Sequence, residues 1–188
     1  MKNQYNECGI KKLSPYYVSD VCSGHIQNNE NKYYRGKSEV VKLKRGVNSV
    51  VTLKNPKNSE VIVYVNNTIV ANISDVVVTE NIYYSASATG NLIKSNNIIS
   101  SNAPYGKNTK AHSEIYYGED IKISNGVSTR TSMILPYSNL LGDDSGSVIL
   151  YPGMEVVIEL YLSDSTKEGE GIVSFIWWEE PIKIVEGD

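Results

Sequence analysis

The stretch from Ser147 to Glu180 constrains this chain more than any other. It reads SVILYPGMEVVIELYLSD, then a charged, glycine-bearing link, then GIVSFIWWEE. Tyr151-Pro152-Gly153-Met154 has the chemistry of a type II turn. Proline presets φ at the first central position and glycine supplies positive φ at the second. Beyond it the chain alternates, with Met154, Val156, Ile158, Leu160 and Leu162 on one face and Glu155, Val157, Glu159 and Tyr161 on the other. The second half puts Val173, Phe175 and Trp177 on one face and Ile172, Ile176 and Trp178 on the other, the pattern of a strand covered on both sides. The spacing predicts a closing hairpin, with the core centred on Phe175, Trp177 and Trp178 together with Ile158 and Leu160.

Composition points the same way. Fourteen Tyr stand against one Phe, beside nineteen Asn. Tyr suits pleated surfaces and Asn suits tight turns, while helix interiors disfavour Asn. The expectation is an all-β protein with a polar, contact-making exterior. A length of 188 residues fits one domain with a sizeable core. A net charge of −3 carries no basic field toward nucleic acid. No apolar run approaches the ~20 residues of a membrane span. The opening MKNQYNECGIKK is polar and lacks the apolar segment of a signal peptide.

Residues 1–30 differ from the rest. They hold Cys8, Cys22 and His25, show little periodicity, and end in Gln27-Asn28-Asn29-Glu30-Asn31-Lys32. They read as an extended N-terminal arm, and residues 31–188 as one β-sandwich domain. From Tyr33 the punctuation is regular. Strands are expected at 38–44, 49–53 and 60–65, with Asn66-Asn67 as a two-residue hairpin turn into 68–73. Further strands are expected at 76–85, 91–100, 113–117, 121–124 and 128–135. Loops are expected around Ala103-Pro104-Tyr105-Gly106 and at Gly142–Gly146 before the final hairpin. Nine or ten short antiparallel strands at this spacing predict a β-sandwich of jelly-roll type.

Catalytic signals are sparse. His25 and His112 lie far apart in unlike contexts, and no nucleophile elbow is present. Glu179-Glu180 and Asp143-Asp144 are neighbours, and neighbours on a strand point to opposite faces. The expectation is no enzyme and no cofactor. Cys22-x-x-His25 has a zinc-like spacing with Cys8 as a third ligand, but a structural zinc needs four, so no metal is expected. Asn66-Asn67-Thr68 and Asn72-Ile73-Ser74 match the glycosylation sequon, but a short hairpin in an Asn-rich chain is the better explanation of them. Gly118-Glu119-Asp120 and Gly142–Gly146 lack the spacing of a calcium loop. Cys8 and Cys22 are candidates for an intersubunit disulfide, an intrachain bridge, or two free thiols.

Short motifs recur in a familiar order: Tyr34-Arg35-Gly36-Lys37, Leu53-Lys54-Asn55-Pro56, Val63-Tyr64-Val65-Asn66-Asn67, Leu150-Tyr151-Pro152-Gly153 and Phe175-Ile176-Trp177-Trp178-Glu179-Glu180. In these the chain resembles an uncharacterised family of small β-sandwich proteins from spore-forming Firmicutes that close on a Gly-Trp-Trp-Glu-Glu-like end. The resemblance spans about Tyr33 to Pro181. Ile176 stands where that family has a small residue. No activity comes with it. In architecture the chain is also similar to endospore appendage pilins, whose Cys-bearing arms insert into neighbouring subunits. That similarity implies Cys8 as the arm cysteine and Cys22 as an acceptor, although the pilins' paired-Cys motif is absent.

Three functions follow as expectations. The first is a self-assembling structural subunit of a spore-surface or extracellular fibre, a homo-oligomer joined through its arm. The second is a ligand-binding module, above all for carbohydrate, using exposed Tyr and one Trp as stacking platforms. The third is a phage virion or tail component.

Overall fold

The computed structural model describes residues 10–14, 17–20, 31–102, 109–162 and 167–182. Among them there is no helix. The strands are β1 (Ile10–Ser14), β2 (Tyr17–Asp20), β3 (Tyr33–Lys37), β4 (Val41–Leu43), β5 (Ser49–Lys54), β6 (Val61–Asn72), β7 (Val78–Thr89), β8 (Ile93–Lys94), β9 (Ile98–Ser100), β10 (Glu114–Glu119), β11 (Lys122–Ile134), β12 (Asn139–Leu150), β13 (Glu155–Tyr161) and β14 (Gly169–Pro181).

Two antiparallel sheets pack face to face. One has the order β12-β6-β14-β3-β9, with β4 continuing the line of β3 along β14, and the other β11-β7-β13-β5-β10-β8. The four strands β12-β6-β14-β3 face the four strands β11-β7-β13-β5, and the chain alternates between them as two Greek keys. That is jelly-roll topology. The β8–β10 insertion widens both sheets on the same side. Within the N-terminal thirty residues, β1 and β2 pair antiparallel as a separate two-stranded sheet.

The core lies between the sheets because one phase of every central strand is apolar. Val51 and Leu53, Val63 and Val65, Ile158 and Leu160, and Val173, Phe175 and Trp177 all belong to one buried cluster. Trp177 stacks on Tyr34 at 5.9 Å between ring centroids. Trp178 is also buried, but on the outer face of its sheet, where it stands between Tyr33 and Tyr64 with centroids at 6.4 and 5.3 Å. A smaller cluster of Val50, Ala86, Ala88, Ile121 and Val157 covers the outer face of the opposite sheet. The far end of the β7–β11 ribbon folds back to make it, turning at Ser85 and Asn125, which both hold positive φ.

Several sequence expectations are corrected by the pairing. β13 and β14 are not a hairpin: β13 pairs with β5 and β7, whereas β14 pairs with β3, β4 and β6. Both are central strands of opposite sheets, so the link after Leu162 crosses between layers. Asn66-Asn67 is no turn, because β6 runs unbroken from Val61 to Asn72. The pair marks a bulge where the register shifts between Ile176 and Trp177 of β14. Asn66 there donates to the Tyr33 hydroxyl at 2.9 Å. Gly142–Gly146 is likewise part of strand β12, with a register shift between Asp143 and Val148. The break expected between Ser124 and Ser128 is continuous strand inside β11, whose register against β7 holds from Lys122 to Ser128 and shifts between Ser128 and Arg130. At Asn66-Asn67 and Gly142–Gly146, Asn, Asp or Gly supplies a bulge in place of the expected turn or loop. Ala103-Pro104-Tyr105-Gly106 lies outside the described residues.

The turn at Tyr151–Met154 joins β12 in one sheet to β13 in the other. Met154 N–H donates to the Tyr151 carbonyl at 2.9 Å, and Gly153 has φ +88°. The Gly153 N–H also donates to Asn55 O at 2.8 Å, fastening this corner to the β5–β6 turn.

Candidate functional site

Two surfaces stand out, a polar cleft beside β10 and the open side of the sandwich at β11 and β12. The cleft has a volume of about 700 Å³ and lies among Pro56–Ser59, Lys94–Ile98 and Thr109–Glu114. Its floor is organised by Glu179. The alternation Val173, Phe175, Trp177 carries Glu179 onto the core face of β14, where only 3% of it is exposed. Five donors reach this one carboxylate. Oε1 accepts from Ser113 N–H at 3.0 Å, Ser113 Oγ at 2.6 Å and Trp177 Nε1 at 3.1 Å. Oε2 accepts from His112 N–H at 2.9 Å and lies 3.1 Å from His112 Nδ1. The contact at Nδ1 together with the backbone bond from His112 N–H holds the imidazole in orientation against Glu179. Nε2 is then left on the exposed edge of the ring, toward the cleft.

Ser, His and Glu meet here, but not in the order acyl transfer requires. In a triad the imidazole stands between carboxylate and hydroxyl. Here the carboxylate stands between them, so Ser113 Oγ donates to Glu179 and gains no base. The arrangement clasps the segment before β10 to the end of β14. At the rim, Lys94 pairs with Glu114, and the Tyr116 hydroxyl donates to Glu114 at 2.7 Å. Burial would raise the Glu114 carboxyl, but the bonds from Lys94 and Tyr116 outweigh it and hold it below the usual carboxylate range.

The second surface arises from an asymmetry of the edges. On one side the sheets end in β9 and β8, of three and two residues. On the other they end in β12 and β11, of twelve and thirteen residues, each with no strand beyond it among the described residues. Short strands blunt an edge, and long ones present a row of unpaired backbone groups. Val127, Met133, Leu135, Tyr137, Leu141 and Ile149 are exposed along this open side, Met133 and Tyr137 by more than 70%. Between the layers behind them, the fully buried Glu80 accepts from Arg130 at 3.1 Å. Burial pushes the Asp144 carboxyl up, against the pull of Arg130.

The sequence-selected residues are scattered. Cys8, Cys22 and His25 lie outside the described residues. Phe175, Trp177, Ile158 and Leu160 lie in the main core and Trp178 on the outer face. Both faces of the Trp178 indole are taken by tyrosines, so this indole offers no sugar-stacking platform. Glu179 and Glu180 diverge, Glu180 meeting Lys32 at 3.0 Å on the surface. Sequence reasoning did not bring His112, Ser113 and Glu179 together. Its available clue was the phase of β14, which places a carboxylate in line with three core residues. Among the described residues no group of three or more His, Cys, Asp or Glu side chains could hold a metal ion.

The sequence model of a family of unknown function, DUF6143, matches residues 11–184. The chain belongs to this family. No curated protein matches it. The DUF6143 match runs from within β1 to beyond β14, so the N-terminal hairpin and the sandwich both fall inside its span.

Proposed function

We propose that this DUF6143 protein is a non-enzymatic, self-assembling structural subunit of an extracellular or spore-surface fibre, joined through its N-terminal arm. One observation carries the reading: a single chain contains three sheets with open edges. Among the described residues the β1–β2 pair is a sheet by itself, while the sandwich keeps two long edges unpaired at β11 and β12. An isolated two-stranded sheet is marginal in water. A long open edge flanked by apolar side chains is a template for another strand. Each supplies what the other lacks. Docking the arm of one subunit on the edge of the next is a heterologous contact, and its repetition builds a filament. The architectural similarity to endospore appendage pilins supports the same scheme, with Cys8 and Cys22 as the source of covalent links between subunits.

Negative-stain microscopy of the purified full chain, with sedimentation velocity at rising concentration, tests it. Filaments and a concentration-dependent mass are expected. Monodisperse monomers at high concentration would overturn the proposal. Closed rings or trimers would assign the protein instead to a phage virion or tail.

A further inference from the structure

The polar groups lining the cleft beside β10 fall into two sets. Ser59, Ser95, Thr109 and Ser113 direct their hydroxyls inward, to Val61 O, Lys37 O, Asn31 O and Glu179. Lys94 is engaged by Glu114. The second set lines the cleft with no hydrogen-bond partner among the described residues. It comprises the side-chain amides of Asn58 and Asn96, the Lys110 ammonium and His112 Nε2. They come from three separate segments of the chain, and one of them is held in orientation by a buried carboxylate.

We propose that this cleft is a binding site for an anionic saccharide, a sugar bearing a carboxylate or phosphate. Each amide offers a donor and an acceptor, which matches the paired hydroxyls of a pyranose ring. His112, held through Nδ1 by Glu179, leaves Nε2 to meet a third hydroxyl. Lys110 meets the negative group. The charge balance agrees: Lys94 and Lys110 line the cleft against one solvent-facing acid, Glu114, while Glu179 is buried and saturated with donors. Among the described residues no Tyr, Trp or Phe lines the cleft, so recognition by them rests on hydrogen bonds and charge, unlike the Tyr and Trp stacking expected from the sequence. The volume of about 700 Å³ falls in the range of small-ligand sites.

The test is an NMR titration of the intact protein, following the His112 ring and the Asn58 and Asn96 side-chain amides. The probes are digalacturonic acid, glucose 6-phosphate, neutral cellobiose and inorganic phosphate. Saturable shifts with one or both acidic sugars are expected, and the tighter of the two identifies the anionic group. Lys110→Ala, a surface change that leaves the fold intact, is expected to weaken that binding about tenfold, the size of one charged hydrogen bond. Asn96→Ala should weaken it less. Equal binding of cellobiose, equal binding of inorganic phosphate alone, an unchanged Kd in Lys110→Ala, or no shift with any probe would each overturn the proposal.

Discussion

Trp177 is the residue whose loss the molecule should feel most. It is fully buried, stacks on Tyr34 and donates its indole proton to Glu179. Trp177→Ala is expected to cost about 3–5 kcal/mol, read as a shift in the urea midpoint at constant m. Glu179→Gln keeps the volume but turns an NH₂ toward groups that are all donors. A loss of about 1–3 kcal/mol follows from leaving buried donors unpaired. Tyrosine gives the pH dependence. The bond to Glu114, with burial second, pushes the Tyr116 hydroxyl up to about 12. Tyr33, Tyr34, Tyr64, Tyr83 and Tyr84 are also raised, by burial first. A folded-state value above the unfolded one means stability that is whole below the ordinary tyrosine value of 10.0 and drains as pH climbs through the folded value. Urea midpoints should therefore fall steeply between pH 10 and about 12, with absorbance reporting phenolate formation. Tyr116→Phe should remove part of that slope; an unchanged slope would show that the Glu114 bond is not felt.

At the scale of elements, two glycines fix the path of β12 and of the turn that follows it. At Gly153 the turn requires φ +88°, so Gly153→Val should destabilise by more than the ordinary cost of a surface change. At Gly146, φ is +78° and an added Cβ would sit 2.1 Å from the Trp178 ring, in space the indole occupies. Gly146→Ala should therefore both lower the melting temperature and alter Trp178 fluorescence, whereas Gly153→Val should change stability alone. The first of these sites was legible in the sequence, because a Pro-Gly pair has few other uses. The second was not. Gly142–Gly146 carries the same residues a loop would, and what makes it strand is its partner β6, far away in the chain. Asn66-Asn67 failed for the same reason. Alternation is a local signal and survived translation well, since Val156, Ile158 and Leu160 share the core face as their spacing predicts. Bulges are set by the register of a neighbour, and the cleft is set by three such neighbours at once.

At the scale of the whole molecule, strand order is what composition and spacing leave open. A Pro-Gly turn between two alternating runs predicts adjacent strands, yet here it joins β12 in one sheet to β13 in the other. Central burial of both β13 and β14 requires neighbours on each side, and the jelly-roll path supplies them as β5 and β7 for one and β3 and β6 for the other. That path closes one side of the sandwich with short strands and leaves β11 and β12 open on the other, which is where the proposed assembly must act. Deleting residues 1–30 should leave a folded sandwich, because neither sheet of the sandwich contains β1 or β2. The same deletion should abolish assembly. Met133→Lys and Leu141→Lys, both on the exposed side of the open strands, should also block assembly in the full chain without lowering its melting temperature. Cys8→Ser should be milder: filaments persist through strand pairing but dissociate in denaturant. On non-reducing gels the full chain is expected as a ladder that collapses with thiol, and the truncated chain as monomer in both lanes. If instead the truncated protein still assembles while Met133→Lys and Leu141→Lys abolish it, the sandwiches join edge to edge and the arm has no part in it.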